Sequence, residues 1–504
     1  LHELVTESVA SASGTSLAAN TIWNVIGHAA PLLVAIVAIP PTIRGIGTDR
    51  FGALTLVWVL IGYFSLFDLG LGRALTKLVA EKIAAGQGPE VPGIVRTALV
   101  LALALGCAAT IFLLVPRRFI VDVLLGTAPE LRTEMRHSLI ILAVSLPFVI
   151  STTALRGVLE ARQRFGLVNL LRVPLGVLTF VAPLLVLQFS RSLTAIVAVL
   201  AAIRVIAWAA HLALCWRVMP ALRSLGRIDR AAAMPLLRLG GWMTVSNVVG
   251  PLMVYLDRFL VGALLTLSAV AYYATPYEVV TKLLLIAAAA SQVFFPAFAA
   301  SLVRDRSGAA SLFARVTKIL FLTLYPITLL LATFAYEGLR LWLGASFADH
   351  STHVLQWLAA GVFVNGLAQI PFALLQSAGR ADVTAKLHLV ELPLYLVLVW
   401  WLIRYSGIDG AAAAWTIRAT VDAALLFLLA ARVVLPERMW GWQLIPATAV
   451  ALAGFAAAGM IDGTTTRALF FALAMIGFSV AAWLGFLDAS DRALVRAYVA
   501  ERTR

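Results

Sequence analysis

Charge is scarce in this chain. Only 13% of its 504 residues are Asp, Glu, Lys or Arg, about half the ~25% usual in soluble domains. That scarcity excludes a string of ordinary soluble domains, which would otherwise number two or three at this length. Cysteine is scarcer still. Cys107 and Cys215 are the only two, each in an apolar segment without a metal-ligating neighbour. Neither a disulfide framework nor a zinc site follows, and both read as small apolar fillers. There is no Walker-type phosphate loop and no His-Glu-x-x-His, which argues against ATP hydrolysis and zinc-peptidase chemistry. His211, His353 and His388 stand isolated in the sequence and read as satisfied or interfacial histidines. No connector is long enough to hold a folded extramembrane domain. The first sixteen residues lack a basic n-region and a cleavage motif, so no removable signal peptide is expected.

What the chain has is apolar length: 62% of residues are hydrophobic. A helix needs about 20 mostly apolar residues to cross a bilayer, and about 14 segments meet that rule. They run approximately over 17–41, 51–75, 93–115, 137–155, 166–189, 192–215, 240–264, 268–299, 313–335, 352–376, 384–404, 409–432, 441–460 and 467–487. The fourth is short and contains Pro147. The expected fold is an all-α polytopic membrane protein. The formal charge of +14 does not indicate nucleic-acid binding, because the basic residues are scattered through short connectors. They read as topology signals and as attraction to anionic lipids or an anionic substrate. Basic residues favour one set of loops by roughly two to one, which places both termini in the cytoplasm.

A weak internal repeat organises the segments. Asn24-Val25-Ile26-Gly27 recurs as Asn247-Val248-Val249-Gly250, each in the first helix of a six-helix half. Arg164 precedes Pro220 by the same interval as Arg380 precedes Pro436. Two parallel lobes follow, 17–220 and 240–436, facing a central cleft. A cytoplasmic tail (1–16), a basic linker (221–239), an additional helix pair (437–487) and a second cytoplasmic tail (488–504) complete the chain.

One stretch, Phe51 to Glu81, combines a membrane-length apolar helix with Asp68, Gly70, Gly72, Arg73 and Lys77. Ionisable groups cost about 2.5–3.5 kcal/mol each at the bilayer centre and persist when they meet water, each other or a substrate. The pattern Gly47-x-x-Arg50-Phe51-Gly52, then Phe67-Asp68-x-Gly70-x-Gly72, then Lys77 and Glu81, resembles the second-helix region of Wzx-type polysaccharide flippases. These belong to the multidrug/oligosaccharidyl-lipid/polysaccharide exporter superfamily. In outline the resemblance extends over 17–436. It implies a transporter, not an enzyme, that moves undecaprenyl-pyrophosphate-linked oligosaccharide repeat units across a bacterial inner membrane. It also implies alternating access between two lobes, a coupling proton or sodium ion, no resident cofactor, and polysaccharide polymerase and other assembly proteins as partners beside the membrane lipids.

A pyrophosphate head crossing a membrane needs a wet, cationic path, and arginine suits phosphate because its planar fork donates paired hydrogen bonds. Arg204, near the middle of its segment, and Arg258 are the foremost candidates for the substrate. Arg73, Arg156, Arg172 and Lys282 follow, and Asn24 and Asn247 suit sugar hydroxyls or interhelical hydrogen bonds. Asp257 and Arg258 are consecutive, so they point about 100° apart and need not pair. Glu278 and Lys282 lie one turn apart and can pair. Asp257, Glu278 and Glu391 are the candidates for the coupling ion. Asp68 reads as a cap or gate residue. Arg418 and Asp422, one turn apart, read as a self-neutralising pair. A drug/cation antiporter of the same superfamily is the first alternative, disfavoured by the basic lean of the deep charges. A membrane polymerase or glycosyltransferase is the second, and it would want a long external loop that this chain lacks.

Overall fold

A computed structural model describes residues 14–66, 71–125, 127–162, 164–223, 229, 232–304, 306–434, 444–486 and 492. Among them there is no strand. In chain order the principal helices are α1 (Gly14–Ile46), α2 (Thr48–Leu66), α3 (Leu71–Ala84), α4 (Val91–Leu114), α5 (Pro129–Ala161), α6 (Phe165–Leu187), α7 (Leu193–Val218) and α8 (Ala233–Leu264). They continue with α9 (Leu267–Val280), α10 (Leu284–Arg304), α11 (Arg306–Thr333), α12 (Ala335–Leu343), α13 (Ala345–Ser377), α14 (Ala381–Val433), α15 (Leu444–Met460) and α16 (Thr464–Ala481). Nine helical stretches among the described residues are long and apolar enough to cross a membrane, with Ala30–Ile46 and Pro446–Met460 as shorter apolar helices. The protein is a multi-pass, all-helical membrane protein. The contacts divide it into two compact units, Leu1–Ala271 and Tyr272–Arg504.

In the first unit α5 is the axis. It packs on α3, α4 and α7, while α1 packs on α6. The segment expected to be short, 137–155, is thus the middle of a 33-residue helix. Pro147 does not break it, because the surroundings fit the bend. Gly106 of α4 lies so close that a Cβ there would meet the Pro147 Cα at 2.4 Å. Thr110 donates its hydroxyl to the Ala143 carbonyl at 2.7 Å, which meets a backbone acceptor near the proline. A second close approach joins α3 to α5. A Cβ on Gly157 would lie 2.6 Å from the Gly72 carbonyl oxygen, and Thr76 donates to Gly157 O at 3.1 Å. Small residues let these backbones meet, as helices in lipid require. At one end of the unit, Arg50 of α2 grips Glu134 of α5 with two 3.0 Å bonds. Glu134 also accepts the Leu193 N–H at 3.1 Å, so one carboxylate ties three helices.

In the second unit α13 is the enclosed helix, packed by α10, α11, α12 and α14. Helix α14 runs for 53 residues, about 80 Å at 1.5 Å per residue, far beyond the ~30 Å hydrocarbon layer. It is two spans. Gly407 has φ 61° and ψ −136° inside it, a conformation that side chains other than glycine resist. Beyond that break the chain folds back, so that a Cβ on Gly410 would sit 1.9 Å from the Leu402 carbonyl oxygen. The two arms, 381–406 and 408–433, correspond to the segments 384–404 and 409–432 expected from hydropathy. Segment 268–299, by contrast, divides into α9, a 3₁₀ turn at Thr281–Leu283, and α10. Large apolar side chains such as Phe112, Ile206, Leu394 and Ile476 are exposed on the outer faces. Such faces belong against lipid.

Two predictions follow from packing and charge. Gly157→Ala drives a Cβ into backbone that cannot yield, at a cost of about 1–3 kcal/mol. Gly166→Ala meets nothing within 4 Å. Thermal unfolding in detergent should lower Tm for the first only, and equal shifts would contradict the close approach. Glu337 of α12 accepts from Thr464 and from Arg467 of α16, both at 3.0 Å. Burial opposes its ionisation, yet its own backbone N–H, Thr464 and Arg467 outweigh that and hold its carboxyl below the usual range. A depressed folded pKa stabilises above the unfolded value of about 4.3, and the benefit is lost as pH falls through the folded pKa. The stability gap between wild type and Glu337→Gln should therefore close only below about pH 4. A gap unchanged at pH 3 would rule that contact out.

Candidate functional site

Ionisable residues within the helices fall into three settings. The first is a basic strip in the first unit. Arg204 and His211 lie seven residues apart on α7, two turns along one face. Arg204 donates to the Thr179 hydroxyl of α6 at 3.2 Å. Among the described residues no carboxylate lies within ion-pair distance of it. Arg156 of α5 pairs with Glu160 at 3.4 Å, and its charge also acts on Arg172 of α6 and on His211. Phe148 and Trp208 meet edge to face at 5.1 Å between α5 and α7. Arg156, Arg172 and Glu160 thus form one charged group, and Arg204 stands apart from it on a helix long enough to span. Arg172 itself is exposed.

The second setting is a closed pair. Asp257 and Arg258 are both fully buried on α8. Their 100° offset left a pair open, and they form one. Asp257 Oδ1 accepts the Arg258 N–H at 2.7 Å and sits 3.3 Å from Arg258 Nη1. The guanidinium curls back to give Val254 O a 2.5 Å hydrogen bond and lies 5.4 Å from the Tyr255 ring centroid. A long arginine side chain can reverse the angle that the backbone imposes. Glu278 and Lys282 pair at 3.3 Å as their spacing suggests, half exposed.

The third setting lies between the arms of α14. Glu391 and Asp422 are buried, 6% and 5% exposed. Ligand atoms of His388, Glu391 and Asp422 all lie within 4.8 Å of one another. His388 Nε2 is 3.6 Å from Asp422 Oδ1, and Phe372 of α13 stacks on its ring at 6.0 Å. Arg418 does not form the expected ion pair with Asp422. Its guanidinium lies 5.5 Å from the Tyr395 ring centroid. Folding the arms together is what redirects both residues. Neither oxygen of Glu391, nor Asp422 Oδ1, has a hydrogen-bond partner. His388 had read as isolated. The signal for it was its place one turn before Glu391, which matters only once Asp422 returns on the second arm.

Of the remaining sequence candidates, Asp68 lies outside the described residues, as do the side chains of Asn24, Arg73 and Asn247. The structure thus gathers Glu391 with Asp422, Arg418 and His388. It sets Arg204 in the basic strip and pairs Asp257 with Arg258.

Comparison with known proteins gives concordant matches. A curated relative from Shigella flexneri named putative O-antigen transporter is 31% identical over 412 residues, 82% of this chain and 97% of its own. Among solved structures, an inward-facing multidrug-resistance MATE family transporter of the MOP superfamily superposes with a TM-score of 0.66 at 15% identity, covering 81% of this chain and 94% of that one. Lipid II flippase MurJ, in an inward closed conformation, also gives 0.66, at 14% identity, covering 91% and 97%. Those structural likenesses establish the fold. The model of the family described as polysaccharide biosynthesis protein matches residues 17–302, and with that match and its O-antigen transporter relative the chain belongs to this family.

Proposed function

We propose that this membrane transporter flips a lipid-linked oligosaccharide repeat unit, carried on undecaprenyl pyrophosphate, across a bacterial inner membrane for surface polysaccharide assembly. Movement is by alternating access between lobes 17–220 and 240–436, with both termini cytoplasmic and a polysaccharide polymerase among its downstream partners. The relative named as an O-antigen transporter supports the substrate class. The observation that carries the reading in this chain is Arg204, a guanidinium mid-way along a spanning helix whose partner is a hydroxyl. Leaving a charge there is costly in lipid. A phosphate oxygen returns that cost through paired, charge-assisted hydrogen bonds. Arg156 and Arg172 add positive charge elsewhere in the same unit. A drug/cation antiporter shares the fold but would gain nothing from a cationic strip, since its cargo carries the same sign. Arg258, closed onto Asp257, serves the fold in this reading; Arg204 serves the cargo.

The test is complementation of a strain lacking its own flippase. Arg204→Ala should reduce surface polysaccharide by about 10–100-fold, the loss expected for a charged hydrogen-bonding group, at normal protein level. Arg204→Lys should recover part of it. Full polysaccharide from Arg204→Ala would remove the argument. Arg258→Ala removes one member of a buried ion pair, at a cost of about 3–5 kcal/mol. It should lower the amount of folded protein. Normal protein with lost polysaccharide would instead give Arg258 to the cargo.

A further inference from the structure

The cluster on α14 contains more negative charge than it can hold. The groups that act on Glu391 are Asp422, Arg418 and His388, and no other ionisable group does so among the described residues. Helix α13 packs along α14 and brings Phe372 against His388, while its stretch 357–377 carries no ionisable side chain. Helix α11 meets α14 where Phe313 touches Phe427. Its basic residues there, Arg315 and Lys318, are not among the groups that act on Glu391. With His388 neutral, two carboxylates and one guanidinium leave a single uncompensated negative charge. No N–H or O–H donates to either oxygen of Glu391, so an ionised Glu391 would be buried with nothing to solvate it.

One positive charge completes this cluster, and a proton does so with the groups present. Placed on one carboxyl, it becomes an O–H donating to the other, which removes the repulsion and supplies the missing hydrogen bond. A divalent metal ion would overshoot the charge beside Arg418. His388 bridges the pair to water. Its side chain is 29% exposed while that of Asp422 is 7% exposed, so the imidazole reaches from the buried carboxyl to the surface.

We propose that Glu391 and Asp422, facing each other across the two arms of α14, share one exchangeable proton that His388 passes to and from water, and that this is where transport is coupled to a proton gradient. Proton binding stands on the geometry alone, whereas its coupling to transport rests on the flippase reading. The transfer is from His388 N–H to a carboxylate oxygen and back, with the imidazole left neutral and then recharged from water. Loss of the proton sets two negative charges against each other across the hairpin that Gly407 closes, so occupancy biases the spacing of its arms.

Infrared difference spectroscopy of the purified full-length protein reads this directly. Exposed carboxyls ionise near pH 4. The wild type should keep a protonated-carboxyl carbonyl band at neutral pH that disappears on alkalinisation. Glu391→Gln and Asp422→Asn should each abolish it, with size exclusion reporting the folded state. His388→Gln should retain the band but slow its hydrogen–deuterium exchange by about tenfold or more. A wild type without such a band overturns the proposal even if no variant folds. So does a band that survives in both carboxyl variants, or one that sodium or zinc abolishes at constant pH. Flipping in reconstituted vesicles is scored separately. Absent flipping with the band intact would reject the transport reading and leave the proton site standing.

Discussion

The cost of a charge in hydrocarbon governs this protein. A membrane helix keeps its backbone satisfied internally and gives its side chains to lipid or to its neighbours. An ionisable group within it must then find a counter-charge, a proton, water or a cargo. The chain uses these remedies in different places. Asp257 and Arg258 neutralise each other in a fully buried contact. Glu391 and Asp422 confront each other, with the charge of Arg418 nearby. Arg204 rests on a threonine hydroxyl. Only the first arrangement pairs opposite charges. The other two are incomplete in opposite senses, one short of a positive charge and one short of a negative, and incompleteness is what a transporter requires of sites that load and unload.

The packing supports that division. Helices α5 and α13 are the enclosed members of their units, and the positions that matter for closeness are small. Gly106, Gly157 and Gly410 each admit a backbone where a Cβ would collide. Charged contacts that only hold ends together lie away from the enclosed cores, as with Arg50 and Glu134 or Glu337 and Arg467. The same fold accommodates multidrug and lipid-linked cargo in its solved neighbours. The phosphorylated cargo proposed for this chain therefore rests on Arg204 and not on the helix arrangement.

Hydropathy read the helical class and most spans, because a bilayer imposes a fixed length on apolar runs. It also separated the two arms of α14, which continue as one helix by hydrogen bonding alone. Local geometry adds detail that it does not carry. Segments 268–299 and 137–155 each fall within one spanning stretch, Leu267–Val303 and Pro129–Ala161, the first tightened by a 3₁₀ turn and the second much longer than its apolar core. Pairings were less legible than spans. Helical spacing foresaw Glu278 with Lys282. It left Asp257 with Arg258 open, since a flexible guanidinium can curl past its backbone angle, and misread Arg418 with Asp422, because a second arm offered each a different neighbour. Histidine 388 was legible only in three dimensions. Its carboxylate partner Asp422 lies 34 positions away in sequence.

The central claim is that a cationic path within this apolar bundle carries a phosphorylated glycan head across the membrane. Its most direct test is translocation of a fluorescent polyprenyl-pyrophosphate oligosaccharide by purified protein in sealed vesicles, read by quenching from one side. The account predicts that the labelled lipid changes leaflet with wild-type protein and that Arg204→Ala slows this without altering insertion. Equal rates for both proteins, or movement of a neutral glycolipid at the same rate as the pyrophosphate, would contradict it.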